Sequence, residues 1–117
     1  MREIIWEDEH AFAIRDKFPI SPGHTLIIPR RHIGILWECT PEEWASLFAG
    51  SQWVKDDLEI TFSRIDGWNI GVNVGEAAGQ TVFHVHMHVV PRFIGDVDNP
   101  IGGVRHVVPD KADYHSA

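Results

Sequence analysis

The chain has 117 residues, 44% of them hydrophobic, and a net charge of −7 from 10 Lys+Arg and 17 Asp+Glu. This length indicates one domain, and the acidic balance opposes a broad nucleic-acid or anionic-membrane surface without excluding a small positive pocket. A single cysteine, Cys39, excludes an intramolecular disulfide and a multi-cysteine zinc site, and with no membrane-length apolar run or signal-peptide pattern we expect a cytoplasmic protein.

Three short strands are predicted first along the chain, at residues 3–8, 11–15 and 24–29. A turn near Glu9 and His10 separates the first two strands, and Ser21-Pro22-Gly23 is a turn signal before the third. Pro29 is expected to end the third strand, because proline has no N–H to donate to a ladder.

A long helix is predicted over residues 41–64, ending before Asp66-Gly67. Its start is the capping box Thr40-Pro41-Glu42-Glu43, with proline at the first helical position. Apolar and small residues then recur at helical spacing, at Trp44, Leu47, Phe48, Ser51, Val54, Leu58, Phe62 and Ile65.

The second half of the chain predicts a strand at residues 68–74, a glycine-containing loop at 75–80 and a strand at 81–90. Pro91 should end the last strand, and the glycine-rich tail after Arg92 should be irregular. Several strands with one long helix and a short one favour an antiparallel α+β fold. We expect a single domain over residues 1–117, with a core at 1–92 and a tail at 93–117.

Histidines and apolar residues alternate in the last predicted strand, in the run His84-Val85-His86-Met87-His88-Val89-Val90. A strand sends alternate side chains to opposite faces, so the pattern predicts three imidazoles in one row, about 7 Å apart. A half-buried strand normally carries Ser, Thr, Lys or Glu on its outer face. The row therefore indicates a functional site.

Two chemistries use such a row. In the first, His84 and His86 bind zinc or iron, and His24, Asp16 or Glu76 would have to complete the ligand set. In the second, imidazole itself acts on a phosphate, with one ring as nucleophile and a neighbouring imidazolium binding phosphoryl oxygens.

The loop that precedes the row fits the phosphate chemistry. Gly75 and Gly79 allow backbone N–H groups to approach an anion closely. Asn73 and Gln80 add amide donors, and Thr81 adds a hydroxyl.

Two segments, in this order, resemble the signatures of the histidine triad superfamily. One is the Pro-Gly-His that ends at His24, followed by a strand, a basic pair and His32, and the other is NVGEAAGQTVFHVHMHVVPR at residues 73–92. The resemblance implies a HIT-like α+β fold, with an antiparallel sheet of about five strands paired across a homodimer. The long helix would help to form the dimer contact through Trp44, Leu47 and Phe48, although these residues could equally form a core stripe within one subunit.

The resemblance also implies hydrolysis or transfer at an α-phosphorus through a nucleotidyl-histidine intermediate. By position, His86 resembles the nucleophile, and His84 resembles the orienting residue whose carbonyl accepts a hydrogen bond from His86 Nδ1–H. His88 resembles the residue that contacts phosphoryl oxygens, and His24 resembles a fourth histidine that supports them. Expected substrates are adenine nucleotides or dinucleotides such as diadenosine polyphosphates, or adenylyl phosphoramidates.

Nucleotide contacts are implied for residues outside the row. Asp16 resembles a ribose-binding residue, Asn73 an amide near the leaving-group oxygen, and Gln80 and Thr81 a phosphate-contacting pair, although Gln80 could equally cap the loop. Candidate residues for the base pocket are Phe12 and Ile14.

His88 favours a hydrolase, because the nucleotidyltransferase branch of the family usually has glutamine at this position. The tail resembles bacterial members of the dinucleoside polyphosphate hydrolase branch, and Arg92 and Arg105 are candidates for contacts to distal phosphates. The chemistry requires no cofactor or bound metal, although Mg²⁺ could accompany the substrate. The alternatives are a metal-dependent enzyme with His-x-His ligands and a non-catalytic nucleotide-binding module.

Overall fold

The computed structural model describes residues 3–114, which form one five-stranded antiparallel sheet with a long helix packed on it. The strands are β1 (Ile4–Glu7), β2 (Ala11–Arg15), β3 (Thr25–Pro29), β4 (Gly67–Gly71) and β5 (Met87–Arg92), in the spatial order β1-β2-β3-β5-β4. The helix, α1, is Pro41–Thr61, and short 3₁₀ helices lie at Leu36–Glu38, Glu76–Ala78, Gly103–Val107 and Pro109–Lys111. The predicted α+β class and the five-stranded antiparallel sheet are confirmed. No helix within residues 3–114 is both long and apolar enough to cross a membrane.

The N-terminus of α1 is the predicted capping box. Thr40 Oγ1 accepts from the Glu43 N–H at 3.1 Å, and Glu43 Oε1 accepts from the Thr40 N–H at 2.8 Å. Arg31 donates two further hydrogen bonds to the Glu43 carboxylate, at 2.9 and 3.1 Å. These bonds lower the pKa of Glu43 from 4.5 to about 2.

The helix ends at Thr61, three residues before the predicted end. Phe62 is extended, with φ −103° and ψ 133°. Its half-buried ring packs against the core and meets Phe93 edge-on at a centroid distance of 5.9 Å. Phe62 buries its ring in the extended conformation, and the last helical turn that the periodicity predicted does not form.

The two faces of the sheet have different partners. The face toward α1 carries Ala13, Ile27 and Val89, which are fully buried with Leu47 and Val54 of the helix. In the opposite face, the antiparallel register places Ile14, Leu26 and His88 side by side on β2, β3 and β5. The histidines of the candidate site therefore lie on the face away from the helix.

The histidine strand is shorter at its start than predicted. It begins at Met87 rather than at residue 81, so His84 and His86 precede the ladder. Pairing with β3 begins at Ile27 and Met87, and just before Met87 the Val85 N–H donates to the Ile33 carbonyl at 2.8 Å. β4 is also shorter than predicted, because its last residue pairs near the start of β5.

Pro91 does not end β5, which continues to Arg92. β3 pairs with β5 only as far as Val89, so the missing N–H of Pro91 breaks no bond to that strand. The Pro91 carbonyl instead accepts from Ser21 Oγ at 2.6 Å.

Candidate active site

Two histidines meet because β3 and β5 are neighbours. His24 immediately precedes β3, and His88 is the second residue of β5. His24 Nε2 lies 2.9 Å from His88 Nδ1, and the ring centroids are 5.1 Å apart. The sequence separation of these residues is 64, so only the strand pairing makes this contact.

The hydrogen bonds assign the tautomers of this pair. The Ile20 backbone N–H donates to His24 Nδ1 at 3.2 Å, so a neutral His24 carries its proton on Nε2. That proton is donated to His88 Nδ1, which leaves the His88 proton on Nε2. Burial lowers the pKa of both imidazoles, and for His88 the neighbouring His86 and His24 charges act in the same direction. These effects favour the neutral form of both rings, and the Asp16 carboxylate acts on both pKa values in the opposite direction.

His86 is oriented by the backbone of its neighbour. His86 Nδ1 donates to the His84 carbonyl oxygen at 2.9 Å, which is the bond that the family resemblance implied. The His86 ring stands edge-on to the His88 ring, with centroids 5.1 Å apart. Because Nδ1 carries the proton, the His86 Nε2 lone pair is the basic atom of this ring. The arrangement places a nucleophilic nitrogen beside an N–H donor.

The His84 ring does not join the row predicted for the three imidazoles. Its Nε2 donates to the Pro29 carbonyl oxygen at 3.0 Å, and its centroid lies 4.6 Å from that of His32. The rings brought together are those of His24, His86 and His88, because the His84 ring is held at the end of β3 by its bond to the Pro29 carbonyl. His32 was not a predicted site residue, and the Arg-Arg-His run was the only signal for it.

Asp16 lies behind His24. Its Oδ2 is 3.4 Å from His24 Nε2, and its Oδ1 accepts from the Phe18 N–H at 2.8 Å. Asp16, His24 and His88 offer ligand atoms within 4.8 Å of one another, which is the three-ligand cluster found among residues 3–114. The His24 and His88 nitrogens in this cluster are hydrogen-bonded to each other, whereas the His84 and His86 rings predicted as metal ligands each donate one ring N–H to a carbonyl oxygen.

Gln80 braces the glycine loop. Its buried side chain donates to the Gly34 and Val82 carbonyls at 2.7 and 3.2 Å and accepts from the Gly75 N–H at 2.8 Å. The oxygen and the nitrogen of the Gln80 amide, which was expected to contact phosphate, are thus both hydrogen-bonded within the protein. These bonds are the ones expected of a residue that caps the loop. Thr81 is exposed beside it.

The remaining nucleotide-contact candidates lie on either side of His88. Ile14 is buried in the same lateral row of the sheet as His88, and Phe12, two residues earlier on β2, shares its face. Asn73 is exposed beyond β4 and lines a cavity of about 450 Å³ together with His24 and His88.

The two arginines considered for distal phosphates are engaged elsewhere. Arg92 donates to both carboxylate oxygens of Asp96, at 2.7 and 2.8 Å, and to Asn69 at 2.6 Å. Arg105 donates to the carbonyls of Lys111 and Ala112, at 2.7 and 3.2 Å. Neither guanidinium is directed at the histidines by these contacts.

Comparison with known proteins adds independent evidence. The family model described as "HIT domain" matches residues 1–95. The chain belongs to the HIT family. This confirms the histidine triad resemblance, and HIT family members are nucleotide-binding proteins and generally hydrolases.

HIT relatives match over most of this chain. An uncharacterized HIT-like protein of Methanocaldococcus jannaschii is 39% identical over 95 residues, covering 80% of this chain and 71% of that protein. A bis(5'-adenosyl)-triphosphatase of Dictyostelium discoideum is 36% identical over 97 residues, covering 83% of this chain and 64% of that protein. The crystal structure of a Zn-bound histidine triad family protein from Mycobacterium smegmatis has a TM-score of 0.75 at 43% identity, covering 82% of this chain and 69% of that chain. This chain thus spans about two thirds of the length of these relatives.

Proposed function

We propose that this HIT protein hydrolyses adenylyl compounds at the α-phosphorus through a nucleotidyl intermediate on His86. The observation that carries the proposal is the hydrogen bond from His86 Nδ1 to the His84 carbonyl, 2.9 Å long, beside the His88 ring. It presents the His86 Nε2 lone pair for attack. A relative that is a bis(5'-adenosyl)-triphosphatase supports adenine dinucleotides as one substrate class.

The reaction has two displacement steps. The His86 Nε2 lone pair forms a bond to the α-phosphorus, and the bond from phosphorus to the leaving group breaks with its electron pair, which takes a proton from solvent. A water oxygen then bonds to phosphorus, the phosphorus–nitrogen bond returns its electron pair to Nε2, and the proton of that water is released. The net reaction consumes one water and yields AMP and the protonated leaving group.

Neighbouring groups would stabilise the charge on the transferring phosphoryl group. The His88 ring lies beside that of His86 with its proton assigned to Nε2, and His24 fixes this tautomer through the 2.9 Å bond between the His24 and His88 rings. Asn73, which lines the same cavity as His24 and His88, and Thr81 of the loop before the histidines would supply further donors. Preorganised donors of this kind act in the transition state, where negative charge accumulates on the phosphoryl oxygens.

The nucleoside would lie toward β2. Phe12 and Ile14 provide the apolar surface for a base on the face that carries His88. The Asp16 carboxylate, already near His24, would accept hydrogen bonds from the ribose hydroxyls.

Trapping of the intermediate tests this function. Radiolabelled adenylyl substrates, tested with and without Mg²⁺, should leave acid-labile label on the wild-type protein and none on His86→Ala. His86→Gly should regain turnover with added imidazole, and His10→Ala, which alters a histidine outside the group formed by His24, His86 and His88, should behave as wild type. Near-normal turnover by a folded His86→Ala protein would remove the covalent role.

The same preparation separates the other candidate functions. Activity that survives thorough chelation, with no stoichiometric metal by elemental analysis, would exclude a metal centre at Asp16, His24 and His88. Calorimetric binding of AMP without cleavage of any adenylyl substrate would identify a binding module instead.

We further propose that the chain acts as a homodimer through β4 and α1. β4 is an edge strand, and Ile70 on it and Phe48 on α1 are 46% and 55% exposed on the same side of the sheet. Leu47, also considered for this contact, is fully buried in the subunit core. Unpaired strand edges and adjoining apolar surface favour association. Light scattering should give a dimer for the wild type and a monomer for Phe48→Glu, whereas Ile60→Glu, on an 86% exposed residue of the same helix, should remain dimeric.

A further inference from the structure

The chain that leaves β3 contacts the start of the histidine run at several points. The Pro29 carbonyl accepts from His84 Nε2 at 3.0 Å, and the Ile33 carbonyl accepts from the Val85 N–H at 2.8 Å. We call residues 29–34 the clasp. Because the ladder between β3 and β5 does not extend to these positions, the clasp holds the backbone that precedes β5 in its place.

The bond at Val85 fixes the carbonyl that orients His86. The His84 carbonyl and the Val85 N–H belong to the same peptide group, which is planar and trans, so the two groups point in opposite directions. The N–H is bound to the Ile33 carbonyl on one side, and the carbonyl accepts from His86 Nδ1 at 2.9 Å on the other. The clasp therefore sets the direction of the bond that selects the His86 tautomer.

His32, within the clasp, packs on the side chain of the same residue. Its ring centroid lies 4.6 Å from that of His84, with the two rings inclined at 51°. His32 is exposed and His84 is half-buried, so His32 is the outer ring of the pair. Without the outer ring, the His84 side chain would lose a packing contact that keeps its Nε2–H directed at Pro29.

Two consecutive contacts link His32 to the nucleophile. The first joins the rings of His32 and His84, and the second joins the His84 carbonyl to His86 Nδ1. A neutral imidazole can carry its proton on either nitrogen, so the Nδ1–H form of His86 depends on an acceptor held in place. In the other tautomer Nε2 carries the proton and has no lone pair with which to attack phosphorus.

We propose that His32 is a positioning residue for the His86 nucleophile and acts through the ring and the carbonyl of His84. Its effect on turnover rests on the hydrolase function proposed above, whereas its effect on the His86 tautomer does not. The feature required at position 32 is an aromatic ring, because the contact with His84 is made ring against ring.

Three variants of the full chain test this role by kinetics. His32→Ala removes the ring, His32→Phe restores a ring without nitrogens, and His10→Ala changes a histidine outside these contacts. The substrate is diadenosine triphosphate or adenosine 5'-phosphoramidate, whichever the wild type cleaves faster. We expect His32→Ala to lower kcat about tenfold with little change in KM, because the nucleophile loses its orientation while the substrate contacts remain. His32→Phe and His10→Ala should keep kcat within about twofold of the wild type.

The tautomer of His86 is a second readout, which a general loss of stability would not change in molecules that remain folded. Long-range proton–nitrogen NMR correlation of protein labelled in its imidazole rings distinguishes a protonated from an unprotonated ring nitrogen. Comparison with His86→Gly assigns the signals at about pH 8, where an ordinary imidazole is neutral. The wild type and His32→Phe should show protonated Nδ1 and unprotonated Nε2, whereas in His32→Ala the two signals should move toward each other as both tautomers become populated.

The two readouts separate this proposal from the proposed function. A wild type that cleaves neither substrate and traps no adduct would overturn the hydrolase function, and the spectra alone would then decide the role of His32. An unchanged His86 tautomer or a wild-type kcat in His32→Ala would overturn the positioning role, as would a His32→Phe protein as impaired as His32→Ala. Urea denaturation confirms that each variant is folded under the conditions of the assay.

Discussion

Glu43 links the start of α1 to the loop that follows β3, and Glu43→Gln tests how much this link stabilises the fold. The side chain is 6% exposed, and it accepts from the Thr40 N–H and from two nitrogens of Arg31. Glutamine keeps the shape and the oxygen for Thr40. It removes the charge and turns an amide N–H₂ toward the guanidinium, so the variant removes the ionic interaction together with the hydrogen bond from Arg31 Nε.

The pKa of Glu43 sets the size of the effect. A fall from 4.5 to about 2 corresponds to about 3 kcal/mol of stability at neutral pH. The Arg31 side chain is 56% exposed, so solvent screens its side of the pair. Allowing for that screening, we expect Glu43→Gln to lower the free energy of unfolding at pH 7 by roughly 2 kcal/mol.

The effect should depend on pH with a definite sign. Because the folded carboxyl has the lower pKa, its contribution is complete above the unfolded value of 4.5 and is lost as the pH falls toward about 2. Urea denaturation at several pH values gives the free energy of unfolding. The gap between wild type and Glu43→Gln should fall to less than half its neutral size near pH 3.

Glu42→Gln is the matched control, since Glu42 is an exposed carboxylate in the same helical turn. It should change stability by only a few tenths of a kcal/mol through the helix dipole. A loss in Glu43→Gln no larger than in Glu42→Gln, or a loss that stays constant between pH 7 and pH 3, would refute the assignment of stability to the buried carboxylate.

Two further predictions concern packing and protonation. Gly50→Ala would place a Cβ 2.7 Å from the Trp6 ring. Overpacking should outweigh the gain in helix propensity, so urea denaturation should show a free energy of unfolding lower by roughly 1 kcal/mol. Gly34→Ala, whose Cβ would make only an ordinary contact, should be tolerated. The pKa values of His24 and His88 in the folded protein lie below the unfolded value of 6.5, so the unfolded chain takes up protons first as the pH falls. The free energy of unfolding should therefore decrease as the pH drops below 6.5, and it should level off below the folded pKa values. Replacing His24 with Asn should flatten that part of the pH profile, and an unchanged profile would contradict the assignment.

The local elements of this protein follow from its sequence because their causes are local. The start of α1 depends on Thr40, Pro41 and Glu43, which lie within one helical turn, and the capping box forms as predicted. The bond from His86 Nδ1 to the His84 carbonyl spans two residues and is present as the family resemblance implied. Membership of the HIT family was likewise readable from two short motifs.

The ends of the strands needed the tertiary structure, because they depend on where the pairing with neighbouring segments stops. β3 and β5 pair only up to Ile27 and Met87, and the Val85 N–H donates instead to the Ile33 carbonyl beyond β3. Pro91 stays in the strand because β3 no longer faces it. The hydrophobic alternation continues through both points and could not indicate either boundary.

The set of residues that form the site also depended on the tertiary structure. The meeting of His24 with His88 joins positions 64 residues apart, and the departure of the His84 ring toward Pro29 depends on where β3 stops. The tail gave no periodic signal, since it is held by Arg105 bonds to backbone carbonyls and not by an apolar stripe. Hydrogen bonds between neighbouring residues can be predicted from the sequence, because both partners lie within a few positions of each other. The residues that line a cavity come from distant segments, so they depend on which segments the sheet brings together.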